Sequence, residues 1–169
     1  MRKRLIPIAM LLLASTAQGQ SASRRASIDP WEVTEQTALS VTLELPALNL
    51  VRGSVFQVRP VLVVRCRDKE LEVFVLTGSA LDSNDSVTTP VRVLWGTGTG
   101  DDGRWNRSTD GKSAFTPDPR GFLRQLVDAP DLRLEVHPAG GSPQLIRFNA
   151  RGIDRHVVQV NSVCPVRRI

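Results

Sequence analysis

Cysteine is the residue type whose number and spacing say most about the chemistry of this chain. The 169 residues contain two cysteines, Cys66 and Cys164. They lack the C-x-x-C spacing of a redox pair, and no histidine or acidic partner stands near them at metal-ligand spacing. In an oxidising compartment an even pair is typical of a structural disulfide. We therefore predict a Cys66–Cys164 disulfide, which in the chain-entropy model stabilises the fold by about 4–5 kcal/mol.

The N-terminal residues predict that the chain reaches such a compartment. Three basic residues at 2–4 precede an apolar run at 5–14, and small and polar residues follow. This order is typical of a secretory signal peptide, and Ala17 and Gly19 fit its small-x-small cleavage rule. The run is shorter than the about 20 residues that cross a bilayer. We expect a signal peptide over 1–19 and a periplasmic protein without a stable membrane span; an uncleaved anchor helix is the alternative.

The distribution of charge argues against nucleic acid as a partner. The chain carries 22 Lys+Arg and 17 Asp+Glu, a formal net charge of +5. The excess lies at the ends, because the stretch from Ile28 to Val166 holds 15 basic and 17 acidic residues. Its basic residues are scattered and are not interleaved with aromatic residues, as a phosphate-tracking groove requires. We therefore expect no nucleic acid partner.

A period of two dominates the rest of the sequence and predicts strands. Residues 39–45 alternate apolar and polar, and the apolar run 61–66 predicts a strand that is buried on both faces. Asp68 and Lys69 form the turn to the next strand at 71–75. Further strands are predicted at 91–95, 104–108, 132–136 and 145–148. We predict a mainly β fold, an antiparallel and sandwich-like single domain over 28–169 behind a flexible leader at 20–27, with α+β as the runner-up.

Two segments change to a helical period. Asp118 and Pro119 suit the N-cap and the first position of a short helix. The apolar residues of this helix fall on one face, at Phe122, Leu123, Leu126 and Val127. A second helix is predicted from the spacing of Ile153, Val157, Val160 and Cys164, which directs the cysteine toward the strand of Cys66. The many valines there also allow a strand.

The candidate contact residues come from the block 105–115 and from one histidine. Trp105 and Phe115 are interpreted as core anchors around an Asp-Gly turn, and the alternative is a recognition surface that carries Trp105, Arg107 and Lys112. Both arginine and lysine are expected to be exposed. His137 continues the polar face of its strand and is a further contact candidate, whereas His156 is expected to be exposed on the second helix.

No pattern predicts a catalytic, metal or cofactor site. The glycine-rich stretch Gly96–Gly103 has a strand on each side, so we interpret it as a flexible hairpin loop and not as a dinucleotide cradle. The acidic residues at 82–85 and 101–102 lack EF-hand spacing. The nucleophile-elbow and zinc-protease motifs are absent from the sequence. We expect a protein that is not an enzyme and has no cofactor.

Several features, in order, resemble the TagO/VasI type VI secretion-associated proteins. The features are Trp31, the strand at Val41–Leu43, Val63–Cys66, Trp105, Ser108–Gly111, Ala114-Phe115, the Pro-capped helix with Phe122 and Leu126, Gly141–Pro143, Phe148, Gly152-Ile153 and Cys164. The similarity spans most of the chain after the predicted signal peptide. It departs at His137-Pro138-Ala139, where an aromatic residue is expected, and after Cys164.

The resemblance implies an exported, non-catalytic accessory protein of the bacterial envelope, associated with type VI secretion, with an envelope protein as its partner. Two alternatives from other classes stay open. One is a small periplasmic inhibitor of a lysozyme-type envelope hydrolase, which would insert the Gly96–Gly103 loop into a cleft. The other is a hydrolase that uses His137 as its base.

Overall fold

The computed structural model of the chain describes residues 29–53, 55–83, 85 and 87–165. The predicted signal peptide and leader lie outside these residues. The protein is mainly β, as predicted, and its largest element is a nine-stranded antiparallel sheet. The elements are β1 (Glu32–Gln36), β2 (Ser40–Pro46), β3 (Val51–Arg52), β4 (Gln57–Val58), β5 (Val61–Arg67), β6 (Glu70–Leu76), β7 (Thr88–Trp95), β8 (Asp101–Arg107), β9 (Ser113–Phe115), α1 (Pro119–Asp128), β10 (Asp131–Val136), β11 (Gln144–Asn149) and α2 (Ile153–Val163).

The strands of the large sheet run in the order β1-β2-β5-β6-β9-β8-β7-β10-β11, and β3 and β4 form a separate small hairpin. The chain leaves β2 and passes directly to the last strand, where the Leu48 N–H donates to the Arg147 carbonyl oxygen at 2.8 Å. Strands from both halves of the sheet contribute to one continuous apolar core. The two halves therefore face a shared interior, which the helices complete.

The hairpin β5–β6 forms as its sequence predicts. Leu62 and Val64 are fully buried on one face, and Val63 is buried on the other face. Asp68 and Lys69 connect the strands with φ angles of 52° and 69°, which is the left-handed geometry of a two-residue turn that matches the twist of paired strands. The prediction of a strand buried on both faces, followed by a tight turn, is confirmed.

Both predicted helices are present. The Asp118 carboxylate accepts a hydrogen bond from the Gly121 N–H at 2.9 Å and so caps α1. The buried residues of α1 are Phe122, Leu123 and Leu126, and those of α2 are Ile153, Val157 and Val160. The disulfide is confirmed as well: Cys66 and Cys164 are bonded, with their Cα atoms 5.8 Å apart. It ties the end of α2 to β5, the third strand from the β1 edge of the sheet.

The glycine-rich connection between β7 and β8 is shorter than predicted. Residues 101–103 belong to β8, so the loop proper is 96–100. The Gly96 N–H donates to the Asp131 carbonyl oxygen at 2.7 Å, and the Arg133 guanidinium donates to the Gly96 carbonyl oxygen at 2.8 Å. The loop is held against the start of β10. Within the described residues, no helix is long and apolar enough to span a membrane.

Candidate functional site

A short segment after β6, Thr77–Asp82, is hydrogen-bonded to the turn after β8 and to the turn after β10, and we call it the clasp. The Leu81 N–H donates to the Gly111 carbonyl oxygen at 2.8 Å. The Asp82 N–H donates to the His137 carbonyl oxygen at 2.6 Å. Thr77 and Leu81 are buried. The clasp therefore fixes the turn after β8 and the turn after β10 relative to each other. We call the surface formed by the clasp and these two turns the loop end.

Three of the four predicted contact residues meet at the clasp. Lys112 is exposed, as predicted, and its carbonyl oxygen accepts hydrogen bonds from the N–H and the hydroxyl of Thr77 at 2.9 and 2.8 Å. His137 is partly exposed, and its Nε2 lies 3.8 Å from Glu135 Oε1. The prediction that Arg107 is exposed is wrong: its side chain is half-buried because the guanidinium donates to the Leu81 carbonyl oxygen at 3.1 Å.

Trp105 is the predicted contact residue that lies elsewhere. Its side chain is 3% exposed and meets the Phe122 ring edge-on, with the centroids 5.4 Å apart. Trp95 packs against the same ring at 4.9 Å. This aromatic cluster attaches α1 to β7 and β8, a position that fits the interpretation of Trp105 as a core anchor and not the alternative of a recognition surface.

The turn that carries Lys112 is braced by its own side chains. The Ser108 hydroxyl donates to Asp110 Oδ1 at 2.6 Å, and the Lys112 N–H donates to the same oxygen at 3.0 Å. These two hydrogen bonds, with the Ser108 hydroxyl contributing most, hold the pKa of Asp110 below its ordinary value. Gly111 has a φ of +73°, which glycine adopts without strain. Lys112 is therefore presented from a fixed backbone.

A shallow groove of about 540 Å³ runs beside the clasp. It is lined by Arg52 and Gly53 of the small hairpin and by Ser79 and Ala80 of the clasp. The rest of the lining is the segment 138–144, which is rich in glycine, serine and proline. Small side chains and one guanidinium in the lining suit an extended, acidic segment of a partner better than a compact ligand.

The carboxylate of Asp85, just before β7, accepts several hydrogen bonds. The Thr88 hydroxyl donates to Asp85 Oδ2 at 2.6 Å, and Arg104 donates to the same oxygen at 3.0 Å. The hydrogen bonds from Thr88, followed by those from the Val87 N–H and Arg104, lower the pKa of Asp85 far below its ordinary value. This network fastens β7 to β8, so its role is in positioning the strands.

A second charged cluster lies where β1 meets α2. Asp29 Oδ2 lies 2.9 Å from His156 Nε2 and 3.1 Å from the Arg155 guanidinium. The prediction that His156 is exposed is wrong, because its side chain is 13% exposed beneath Asp29. Burial works to raise the pKa of Asp29, but hydrogen bonds from the Trp31 N–H and His156, with the charges of His156 and Arg155, hold it below its ordinary value.

The small hairpin β3–β4 is the part of this surface that sequence reasoning missed. Its strands are two residues long, so they produce no detectable period. Side chains hold it instead: the Gln144 amide accepts from the Arg52 N–H at 2.7 Å and donates to the Arg52 carbonyl oxygen at 3.1 Å. Gly53 was the one local turn signal. The hydrogen bonds between Gln144 and Arg52 are not evident before the fold is known.

The loop end presents exposed Lys112, partly exposed His137 and main-chain groups on a fixed backbone, an arrangement that is suited to binding. Within the described residues, no group of three or more His, Cys, Asp or Glu side chains is arranged to hold a metal ion. Searches against protein-family models, curated protein sequences and solved structures return no match to this chain.

Proposed function

We propose that the protein is an exported, non-catalytic accessory protein of the bacterial envelope that binds another envelope protein through the loop end. The observation that carries the proposal is the clasp. It brings Lys112 and His137, which are far apart in sequence, onto one surface beside the groove, and it uses Arg107 to hold that surface. A surface assembled in this way from three loops is typical of binding regions on a rigid β scaffold.

The disulfide supports the proposed location in the periplasm. Cys66 and Cys164 are bonded and fully buried in a chain that begins with the pattern of a signal peptide. Structural disulfides of this kind persist in the periplasm and are rare in the bacterial cytosol. The two observations are independent of each other, and both favour export.

Charge and the resemblance both support the choice of partner. Arg52 lines the groove and Lys112 is exposed beside the clasp, which favours an acidic segment on the partner. The ordered similarity to the TagO/VasI proteins supports a partner in or near the type VI secretion apparatus.

Site-directed photocrosslinking in the producing cell tests this proposal. A photoreactive amino acid at position 112 or 137 should give the same crosslinked envelope protein, because both positions lie beside the clasp. The same amino acid at Val158, which is 72% exposed on α2, should not. Crosslinking that is equal at 158, or absent at both loop-end positions, would contradict the proposal.

A matched pair of charge reversals tests whether Lys112 contributes to binding of the partner. Lys112→Glu should weaken capture of the crosslinked partner by roughly five-fold or more, since a rim charge mainly affects the association rate. Arg120→Glu reverses an exposed charge on α1 and should leave capture unchanged. Recovery of a protein of the type VI apparatus in the crosslinked band would establish the finer assignment, and recovery of a muramidase would favour the inhibitor alternative.

A further inference from the structure

The small hairpin and the neighbouring edge of the sheet carry a cluster of exposed apolar side chains. The members of this apolar ridge are Leu48, Leu50, Val55, Phe56 and Leu145. Val55 and Phe56 are 79% and 78% exposed, the highest values among the large apolar residues of the described chain. A folded monomer gains little from apolar side chains in water, so five of them on adjoining segments indicate a surface that is covered by something else.

Hydrogen bonds hold the segment 48–56 beside β11. The Asn49 side-chain amide donates to the Leu145 carbonyl oxygen at 2.9 Å, and Asn49 Oδ1 accepts from the Arg147 N–H at 2.8 Å. Side chains alternate along β11: Ile146 and Phe148 are buried, so Leu145 and Arg147 point outward. The Gly53 N–H closes the hairpin by donating to the Phe56 carbonyl oxygen at 2.8 Å.

Basic residues outnumber acidic residues around the ridge. Three arginines flank it, at Arg52, Arg59 and Arg147, and within the described residues none of them has a carboxylate within 4.0 Å. The sequence has no acidic residue from 45 to 67 or from 136 to 153. Two acidic residues of the neighbouring strand lie close to it: Glu135 pairs with Leu145, and Asp131 lines a small cavity with Leu48 and Arg147.

We propose that the apolar ridge binds the surface of an anionic lipid bilayer. Val55 and Phe56 would enter the headgroup region while the three arginines meet lipid phosphates, which is the combination that gives reversible interfacial binding. A second copy of the chain fits less well, since a two-fold contact between identical ridges would set arginines against arginines. The proposal goes beyond binding of an envelope protein at the loop end and stands independently of it.

Vesicle sedimentation tests the proposal, with the protein purified from the periplasm of the producing cell. Wild type should bind phosphatidylglycerol-containing vesicles and bind pure phosphatidylcholine vesicles much more weakly. Phe56→Ser should reduce binding by roughly ten-fold or more, and Arg147→Gln by about five-fold on anionic vesicles only. Val158→Ser removes a comparably exposed valine that has no place in the ridge, and it should leave binding unchanged.

A second measurement keeps the test independent of vesicle recovery. An environment-sensitive fluorophore on Phe56→Cys should shift to the blue with anionic vesicles, whereas the same fluorophore on Val158→Cys should not. Three results would overturn the proposal: equal binding by Phe56→Ser and wild type, equal binding to neutral and anionic vesicles, or a dimer that depends on Phe56 and forms without lipid.

Discussion

Two consecutive hairpins, β3–β4 and β5–β6, use apolar residues for opposite purposes. In β5–β6 each strand has seven residues, and side chains such as Leu62 and Val75 are fully buried. In β3–β4 each strand has two residues, and the turn exposes Val55 and Phe56 to solvent. Burial, and not residue type, decides what an apolar side chain contributes. The first hairpin should therefore determine stability, and the second should determine binding.

The largest expected effect concerns the disulfide that locks β5 to α2. Replacing both Cys66 and Cys164 by serine should lower the free energy of unfolding by about 4–5 kcal/mol, since the denatured chain regains the freedom of a loop near 100 residues. Urea unfolding of the variant measures the loss. Reduced wild-type protein is the control and should show a similar loss. An unchanged midpoint in both would contradict a stabilising role.

A matched pair of alanine substitutions tests the comparison of the hairpins directly. Leu62→Ala should cost about 2–5 kcal/mol, because it leaves a cavity in the core. Phe56→Ala should change stability by no more than about 0.5 kcal/mol, because the ring is exposed. Both values come from urea unfolding at one pH. Similar losses for the two variants would remove the distinction.

A glycine pair tests what anchors β3–β4 to the rest of the protein. Gly78 in the clasp has a φ of +73°, and a Cβ there would lie 2.8 Å from Cγ2 of Val58. Gly140 has a φ of +68° and no atom within 4 Å of its Cβ position. Gly140→Ala should cost about 1 kcal/mol for the left-handed backbone alone, and Gly78→Ala should cost about 2 kcal/mol because Val58 must also move.

Limited proteolysis completes that test. Gly78→Ala should speed cleavage within β3–β4, because the hairpin loses its packing against the clasp, and Gly140→Ala should not. Equal cleavage rates in the two variants would show that Val58 and Gly78 do not anchor the hairpin.

The smallest expected effect is the pH dependence of the Asp29 cluster. The pKa of Asp29 is lowered in the folded protein, so the carboxylate stabilises the fold above its unfolded pKa of about 4. This stabilisation is lost as the pH falls through the folded pKa. Wild type should be more stable than Asp29→Asn at pH 7, and the difference should shrink between pH 4 and pH 2. A difference that stays constant over this range would contradict the coupling.

Local patterns predicted the elements whose cause is local. The Asp118 cap, the helical spacing of α2 and the Asp68-Lys69 turn all follow from residues within a few positions of each other, and each is confirmed. The disulfide was predictable as well, because two cysteines allow one intramolecular pairing. For these features propensity and burial favour the same structure.

The features that were missed depend on contacts distant in sequence. His156 was placed on the exposed side of its helix, and Asp29, 127 positions away, covers it. Arg107 was expected in solvent, and the clasp carbonyl of Leu81 holds it. The hairpin β3–β4 depends on the side chain of Gln144, 92 positions from Arg52. Propensity and periodicity carry no information about such distant pairings. The sequence therefore predicted some residues of the candidate site but not how they are arranged.

The most direct test of export into an oxidising compartment is the intact mass of the protein recovered from the periplasmic fraction and alkylated without reductant. The account predicts a chain that lacks residues 1–19 and carries no alkyl group at Cys66 or Cys164. A full-length chain alkylated at both cysteines would contradict it.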